Sequence, residues 1–231
     1  MAMIEIDTLD GKGSFQAYAA EPSGPPRAAI VVIQEIFGVN EGIRRKCDHM
    51  ASLGYLALAP DLFWRVQPGV QLDPDIPDQF QQALELMGKF DQDLGIADIE
   101  ATIRAARART RGRKVGCVGY CLGGRLAFMT STRTDVDASV GYYGVMIDQL
   151  LGEKHAIARP LMLHIAGADH FVGPEEQKAM HEGLDDHPRV VLHDYPGEDH
   201  GFAAEMGKRR SEAAAQLADR RTEEFFADHL S

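Results

Sequence analysis

The segment that most constrains this chain is residues 115–124, Val-Gly-Cys-Val-Gly-Tyr-Cys-Leu-Gly-Gly. A short apolar strand runs through Gly119-Tyr120-Cys121-Leu122-Gly123 into helix-like sequence. Gly-x-Cys-x-Gly at such a junction is the arrangement of a nucleophile elbow, with cysteine where serine usually stands. The turn is sharp and holds its central residue in a strained backbone conformation. Gly119 and Gly123, two residues to either side of Cys121, leave room for that turn to pack. The Cys121 side chain is then expected to project from the top of a sheet. The helix that begins there points free N–H groups and its positive dipole end at the thiol, which favours thiolate. Ordinary tight turns produce the same five-residue pattern, so the rest of the chain has to decide between the two readings.

The flanking sequence predicts the sheet. Residues 4–8 and 14–20 surround Asp10-Gly11-Lys12-Gly13 and read as an N-terminal antiparallel hairpin. After the turn-rich residues 22–26, the β-branched run 28–33 has the character of a central strand covered on both faces. Residues 34–40 form a loop, and Asn40 caps a helix that runs to about 53 and stops at Gly54. A buried strand follows over 55–60, then a Pro- and Gly-rich surface excursion over 61–77. Residues 79–89 and 93–109 read as helices, with Ile96, Ile99, Ile103 and Ala106 on one face of the second. Gly112 ends that helix, and 114–118 leads into the elbow. Further strands are expected over 138–143, 160–166 and 189–195, a helix over 174–184, and a terminal helix over 208–230. Strands alternating with helices from residue 28 onward predict an α/β fold. Its sheet is mostly parallel and doubly wound, with helices on both faces and ligand chemistry at the carboxyl ends of the strands. No repeat, linker or low-complexity segment divides residues 1–231, which are expected to form a single domain.

Composition narrows the partners. With 24 Lys and Arg against 35 Asp and Glu, the formal charge is −11. That argues against nucleic acid and against anionic membrane surfaces as partners. Residues 1–9 carry Glu5 and Asp7 and lack the basic and apolar regions of a signal peptide. The apolar run at 28–33 is far too short to span a bilayer. Three cysteines, Cys47, Cys117 and Cys121, set no disulfide framework. A cytoplasmic location and a usable thiol are therefore expected, along with a monomer acting on a small molecule.

Three strand-end residues stand out. Cys121 follows the strand ending at Gly119. Asp169 follows the strand ending at Ala166, and His200 follows the last strand. Nucleophile, acid, histidine is the chain order of an α/β-hydrolase. The histidine takes the thiol proton and later returns it to a leaving group, while the acid fixes the imidazole tautomer and stabilises imidazolium. Asp199, beside His200, is the competing acid, and alone Asp169 could be a turn residue. His164, within a strand, and His170 read as structural. Cys117 and Cys47 read as small buried apolar residues. Nine histidines supply no spacing such as H-E-x-x-H, so no metal is expected, and no cofactor either. Glu35 ends the first central strand at the same sheet edge as Cys121. There it could accept the thiol hydrogen or hold the cysteine in a resting rotamer, or simply point to solvent. The backbone N–H groups of Ile36 and Leu122 are the candidate oxyanion hole.

Gln34-Glu35-Ile36-Phe37-Gly38, residues 119–124, Gly141-Tyr142-Tyr143-Gly144 and Asp169-His170-Phe171-Val172 together resemble the dienelactone hydrolase (carboxymethylenebutenolidase) family of the α/β-hydrolase superfamily. The resemblance runs from about residue 28 to the terminal helix. It implies the α/β-hydrolase fold and hydrolysis of an enol lactone to a keto acid in the degradation of chlorinated aromatics. It also implies attack by Cys121 and a partnership between Glu35 and the cysteine. Members of the family clamp the substrate carboxylate with two arginines, and the matching positions here are Phe80 and Ala204. Neither can pair with a carboxylate. Arg65, Arg125 and Lys208 are the candidate replacements, and Phe37, Phe80, Tyr143 and Ala204 the candidate pocket. The altered positions keep a broader ester or lactone hydrolase in view. A non-catalytic binding protein is opposed by the complete triad, and a thiol redox protein by the lack of C-x-x-C.

Overall fold

The computed structural model describes residues 2–231. The strands are β1 (Ala2–Asp7), β2 (Ser14–Ala20), β3 (Ala28–Ile33), β4 (Tyr55–Pro60), β5 (Val115–Tyr120), β6 (Ala138–Tyr142), β7 (Leu161–Ala166) and β8 (Val190–Tyr195). The helices are α1 (Glu41–Ser52), α2 (Pro77–Lys89), α3 (Gln92–Arg109), α4 (Leu122–Arg133), α5 (Pro174–Leu184) and α6 (Glu212–His229). The strands form one eight-stranded sheet in the order β1-β2-β4-β3-β5-β6-β7-β8. β1 pairs antiparallel with β2, and β2 antiparallel with β4. All other neighbours are parallel. This is the α/β-hydrolase architecture, with the hairpin at one edge.

The continuous apolar runs occupy the middle of the sheet. Every residue of β3, β4, β5 and β7 is buried, as strands covered on both faces must be. Strand alternation shows how the faces are covered. A Cβ on Gly141 would lie 2.9 Å from the Gly124 carbonyl of α4. The next residue, Tyr142, points the other way and hydrogen-bonds Thr222 of α6 at 2.7 Å. α4 and α6 therefore lie on opposite faces.

Sheet order also fixes where a site can form. From β3 the chain moves outward to β4, then returns past β3 to β5. The carboxyl ends of β3 and β5 thus flank a crevice at the switch in direction, where open α/β sheets bind ligands. Both elements are packed tightly there. Cys121 adopts φ 58° and ψ −115°, a left-handed conformation costly for a non-glycine residue. A Cβ on Gly119 would fall 1.9 Å from the Gly123 oxygen, and one on Gly123 would fall 2.5 Å from the Ile33 oxygen. Only glycines let the elbow close on itself and on the end of β3.

Most predicted elements lie within a residue or two of the observed ones, and Asn40 caps α1 by accepting from the Ile43 N–H at 3.2 Å. Two differences matter. Residues 148–156, given no element by the sequence pattern, form a 3-10 segment. The terminal helix begins at Glu212 rather than 208. Ser211 instead returns its N–H to the Phe202 oxygen at 2.8 Å, and Gly207 takes φ 85°. Residues 203–211 are therefore a looped strap above the switch point.

Candidate active site

β5 delivers Cys121, β7 delivers Asp169 and the turn after β8 delivers His200, all to one edge of the sheet. The Asp169 Oδ2 accepts from His200 Nδ1 at 2.8 Å, and both side chains are about fully buried, 1% exposed each. Asp169 is itself fixed, its Oδ1 accepting from the N–H groups of Phe171 at 2.8 Å and Val172 at 3.2 Å. Asp199 is committed elsewhere. It is half-exposed and bonds the His170 ring at 2.7 Å. Asp169 rather than Asp199 is the carboxylate on the imidazole.

The other ring nitrogen of His200, Nε2, is buried without a full hydrogen-bond partner, while Cys121 lines the same cavity. Burial opposes a charge on this imidazole. The negative charge of Cys121, the Asp169 hydrogen bond and a hydrogen bond to Cys121 outweigh it and push the His200 pKa up to about 10. The site thus favours the imidazolium form of His200. Among the described residues, the N–H groups of Ile36 and Leu122 donate to no other protein group. Ile36 lines the cavity and Leu122 opens α4, which leaves both donors available to a developing oxyanion.

The cavity above Cys121 has a volume of about 210 Å³. Its walls are Phe37 from the β3 loop, Phe80, Leu84 and Met87 from α2, Val145 and Met146 after β6, and Phe171 after β7. Two residues expected in the pocket are not lining it. Tyr143 packs behind the site, its ring edge-on to His200 at 5.1 Å, and burial drives its pKa well above the usual phenol value. Ala204 is buried in the strap. It does not line the cavity.

None of Arg65, Arg125 and Lys208 lines the cavity. Arg65 pairs with buried Asp98. Arg125 bonds Gln92 at 2.6 Å and the Met146 oxygen at 2.5 Å, behind the cavity wall. Lys208 is exposed. Arg209 instead lines the cavity. Its Nη2 lies 3.4 Å from Glu35 Oε1, and its guanidinium sits over the Phe37 ring at 5.5 Å. Its Nε is buried and unpartnered. Burial opposes its charge, but Glu35 and then Tyr143 and Cys121 raise its pKa. Glu35 is buried rather than pointing to solvent. The sequence does not single out Arg209, because residues from 208 onward read as a helix there, whereas α6 begins at Glu212. Of the consecutive Lys208, Arg209 and Arg210, only the path of the strap selects the one that turns inward.

Asp169, His170 and Asp199 bring three metal-ligand atoms within 4.8 Å of one another. Their acceptors already serve His200, His170 and backbone N–H groups, a donor set already engaged in holding the site together.

The family model described as "Dienelactone hydrolase family" matches residues 15–230. The chain belongs to the dienelactone hydrolase family. It is 44% identical to the "Putative carboxymethylenebutenolidase" of Azospirillum brasilense, over the full length of both chains. It is 39% identical to the "Carboxymethylenebutenolidase" of Pseudomonas putida, over 97% of this chain and 95% of that one. A solved structure described as "Putative Dienelactone Hydrolase" from Klebsiella pneumoniae superposes with a TM-score of 0.83 at 26% identity, covering 98% of this chain and 99% of that one. Membership makes this dienelactone hydrolase-family protein an enzyme, a lactone or ester hydrolase acting on small molecules. No helix among the described residues is long and apolar enough to cross a membrane.

Proposed function

We propose that the chain hydrolyses an enol lactone of the dienelactone type through a thioester on Cys121. The observation that carries this reading is the Asp169–His200 pair, which leaves Nε2 as the free ring nitrogen beside the thiol. The Cys121 thiolate adds to the lactone carbonyl carbon, and the oxyanion is held by the Ile36 and Leu122 N–H groups. The tetrahedral intermediate collapses with breakage of the ring C–O bond. The enolate leaves as the second product end of the same molecule and takes the proton from His200. Neutral His200 then removes a proton from water, hydroxide adds to the thioester carbonyl, and the C–S bond breaks to return thiolate and a carboxylic acid, which releases its proton to solvent as the carboxylate. The enol tautomerises to the ketone of a keto acid. Arg209 is the cation available to a substrate carboxylate, with Glu35 as its partner when none is bound.

A second reading is favoured by one observation. Phe80 and Ala204 put no charge near the cavity, so Arg209 is the only arginine or lysine on its walls among the described residues. A broader carboxylesterase or lactonase fits a single cation and an apolar wall. The test is kcat/KM on dienelactone beside 4-nitrophenyl acetate, for the parent and for Cys121→Ala. The nucleophile assignment requires Cys121→Ala to lose at least about 10³-fold on both while remaining folded. Retention of the parent rate would refute it. A large preference for the anionic lactone selects the first reading, and comparable values select the second.

A further inference from the structure

Helix α2 has two apolar stripes. Ala83 and Leu86 are buried against the core. Phe80, Leu84 and Met87, at i, i+4 and i+7, instead face the cavity. Leu84 is 40% exposed there, and Phe171 on the facing wall 49% exposed. A soluble protein gains nothing by holding these surfaces open to water, since apolar area is stabilised only when covered.

The position of this wall relative to the chemistry identifies what covers it. A leaving-group oxygen must stand beside His200, which protonates it. Phe171 packs against that imidazole at 4.9 Å and so flanks the leaving group. On the other side, Ile36 offers its N–H to the carbonyl oxygen, the next residue Phe37 contacts Phe80 at 5.8 Å, and Phe80 continues into Leu84 and Met87. The α2 wall therefore adjoins the acyl side of the scissile bond. We propose that Phe80, Leu84 and Met87 form a subsite for a hydrocarbon substituent on the acyl portion, and that the preferred substrates are lactones or esters bearing an alkyl or aryl group there. This inference rests on Cys121 as the nucleophile.

The test is the ratio of kcat/KM for 4-nitrophenyl hexanoate to that for 4-nitrophenyl acetate, measured on the full chain. Each methylene that becomes buried raises kcat/KM by about fourfold, so two buried methylenes raise the ratio to at least about tenfold. Leu84→Asp, at a half-exposed position, and Phe80→Ser should each reduce the ratio by at least about threefold. A flat ratio in the parent overturns the subsite, as does a ratio unchanged in both variants. Cys121→Ala separates the two failures. If it retains the parent rate, or if the parent hydrolyses neither ester, the nucleophile reading falls and the subsite with it. If Cys121→Ala is inactive and the parent ratio is flat, only the subsite falls.

Discussion

Arg209, on the wall of the thiol site, pairs with buried Glu35, Nη2 to Oε1 at 3.4 Å, with the guanidinium over Phe37. This contact is longer than a full charge-assisted hydrogen bond, which closes at about 2.7–2.9 Å. A substrate carboxylate that makes the tighter contact displaces Glu35. Arg209→Met is expected to lower kcat/KM for an anionic lactone about 10- to 100-fold relative to its value for a neutral aryl ester, the range of a lost charge-assisted bond. Arg209→Lys should recover only part of the loss, because a lysine cannot reproduce the planar fork. Equal losses on both substrates would assign Arg209 to structure rather than to recognition.

The two aspartates near His200 are expected to separate cleanly. Asp169 holds Nδ1 and sets the tautomer that leaves Nε2 facing Cys121. Asp169→Asn should cost on the order of 10³- to 10⁴-fold in kcat, the scale of a wrong imidazole tautomer. Asp199 bonds the exposed His170 instead, and Asp199→Asn should stay within about threefold of the parent, as substitutions outside the reacting groups commonly do. Steady-state kinetics on one activated ester distinguishes the pair.

The fold was legible in the sequence because hydrophobic runs, glycines and caps act locally. The all-buried strands β3, β4, β5 and β7 read as continuous apolar segments, and Asn40 read as a cap. Cys121, Asp169 and His200 stood out because each sits just past a strand end, and topology alone brings such positions to one edge. Arg209 did not stand out. Its role depends on residues 203–211 leaving helical geometry at Gly207, and on Gly201 having no side chain. A Cβ at Gly201 would lie 2.7 Å from an Arg209 nitrogen. Nothing periodic encodes such a close approach. Tyr143 and Ala204 were misplaced for a related reason, since sequence proximity to the site does not say which way a side chain turns.

The His200 charge sets a pH window. Its pKa in the folded chain is raised to about 10 against an ordinary value of 6.5, with burial opposed by Cys121 and Asp169. A folded-state pKa above the unfolded one means that folding favours proton binding. The stabilisation is complete below about 6.5 and is lost as pH rises through about 10. Relative to His200→Gln, the parent should therefore lose Tm progressively between these values. The acylation rate should also fall on the alkaline side as imidazolium loses the proton it gives to the leaving group. A parent–variant Tm difference that does not change across pH 6 to 10 would remove the charged pair from the resting enzyme.

The strap that carries Arg209 is held by charges on its outer side. Glu205 accepts from Lys46 at 3.1 Å and from Arg210 at 2.8 Å, and Lys46 also meets Asp219 of α6 at 3.1 Å. Arg45 donates to the Glu205 main-chain carbonyl at 3.3 Å, and Asp75, two residues before α2, accepts from the Lys208 N–H at 3.3 Å. Glu205 touches neither the cavity nor the reacting atoms, so its influence must pass through the strap to Arg209. Glu205→Gln removes the charge that both Lys46 and Arg210 answer while keeping the side chain's shape. It should lower the anionic-to-neutral ratio of kcat/KM by about threefold to tenfold, the equivalent of ~1 kcal/mol, chiefly through KM. A purely structural role for Glu205 would depress both substrates together and shift Tm. Glu205→Asp, which keeps the charge on a shorter arm, should restore part of the ratio. Failure of that partial rescue, with the ratio lost in both variants, would mean that the length of the contact rather than its charge positions Arg209.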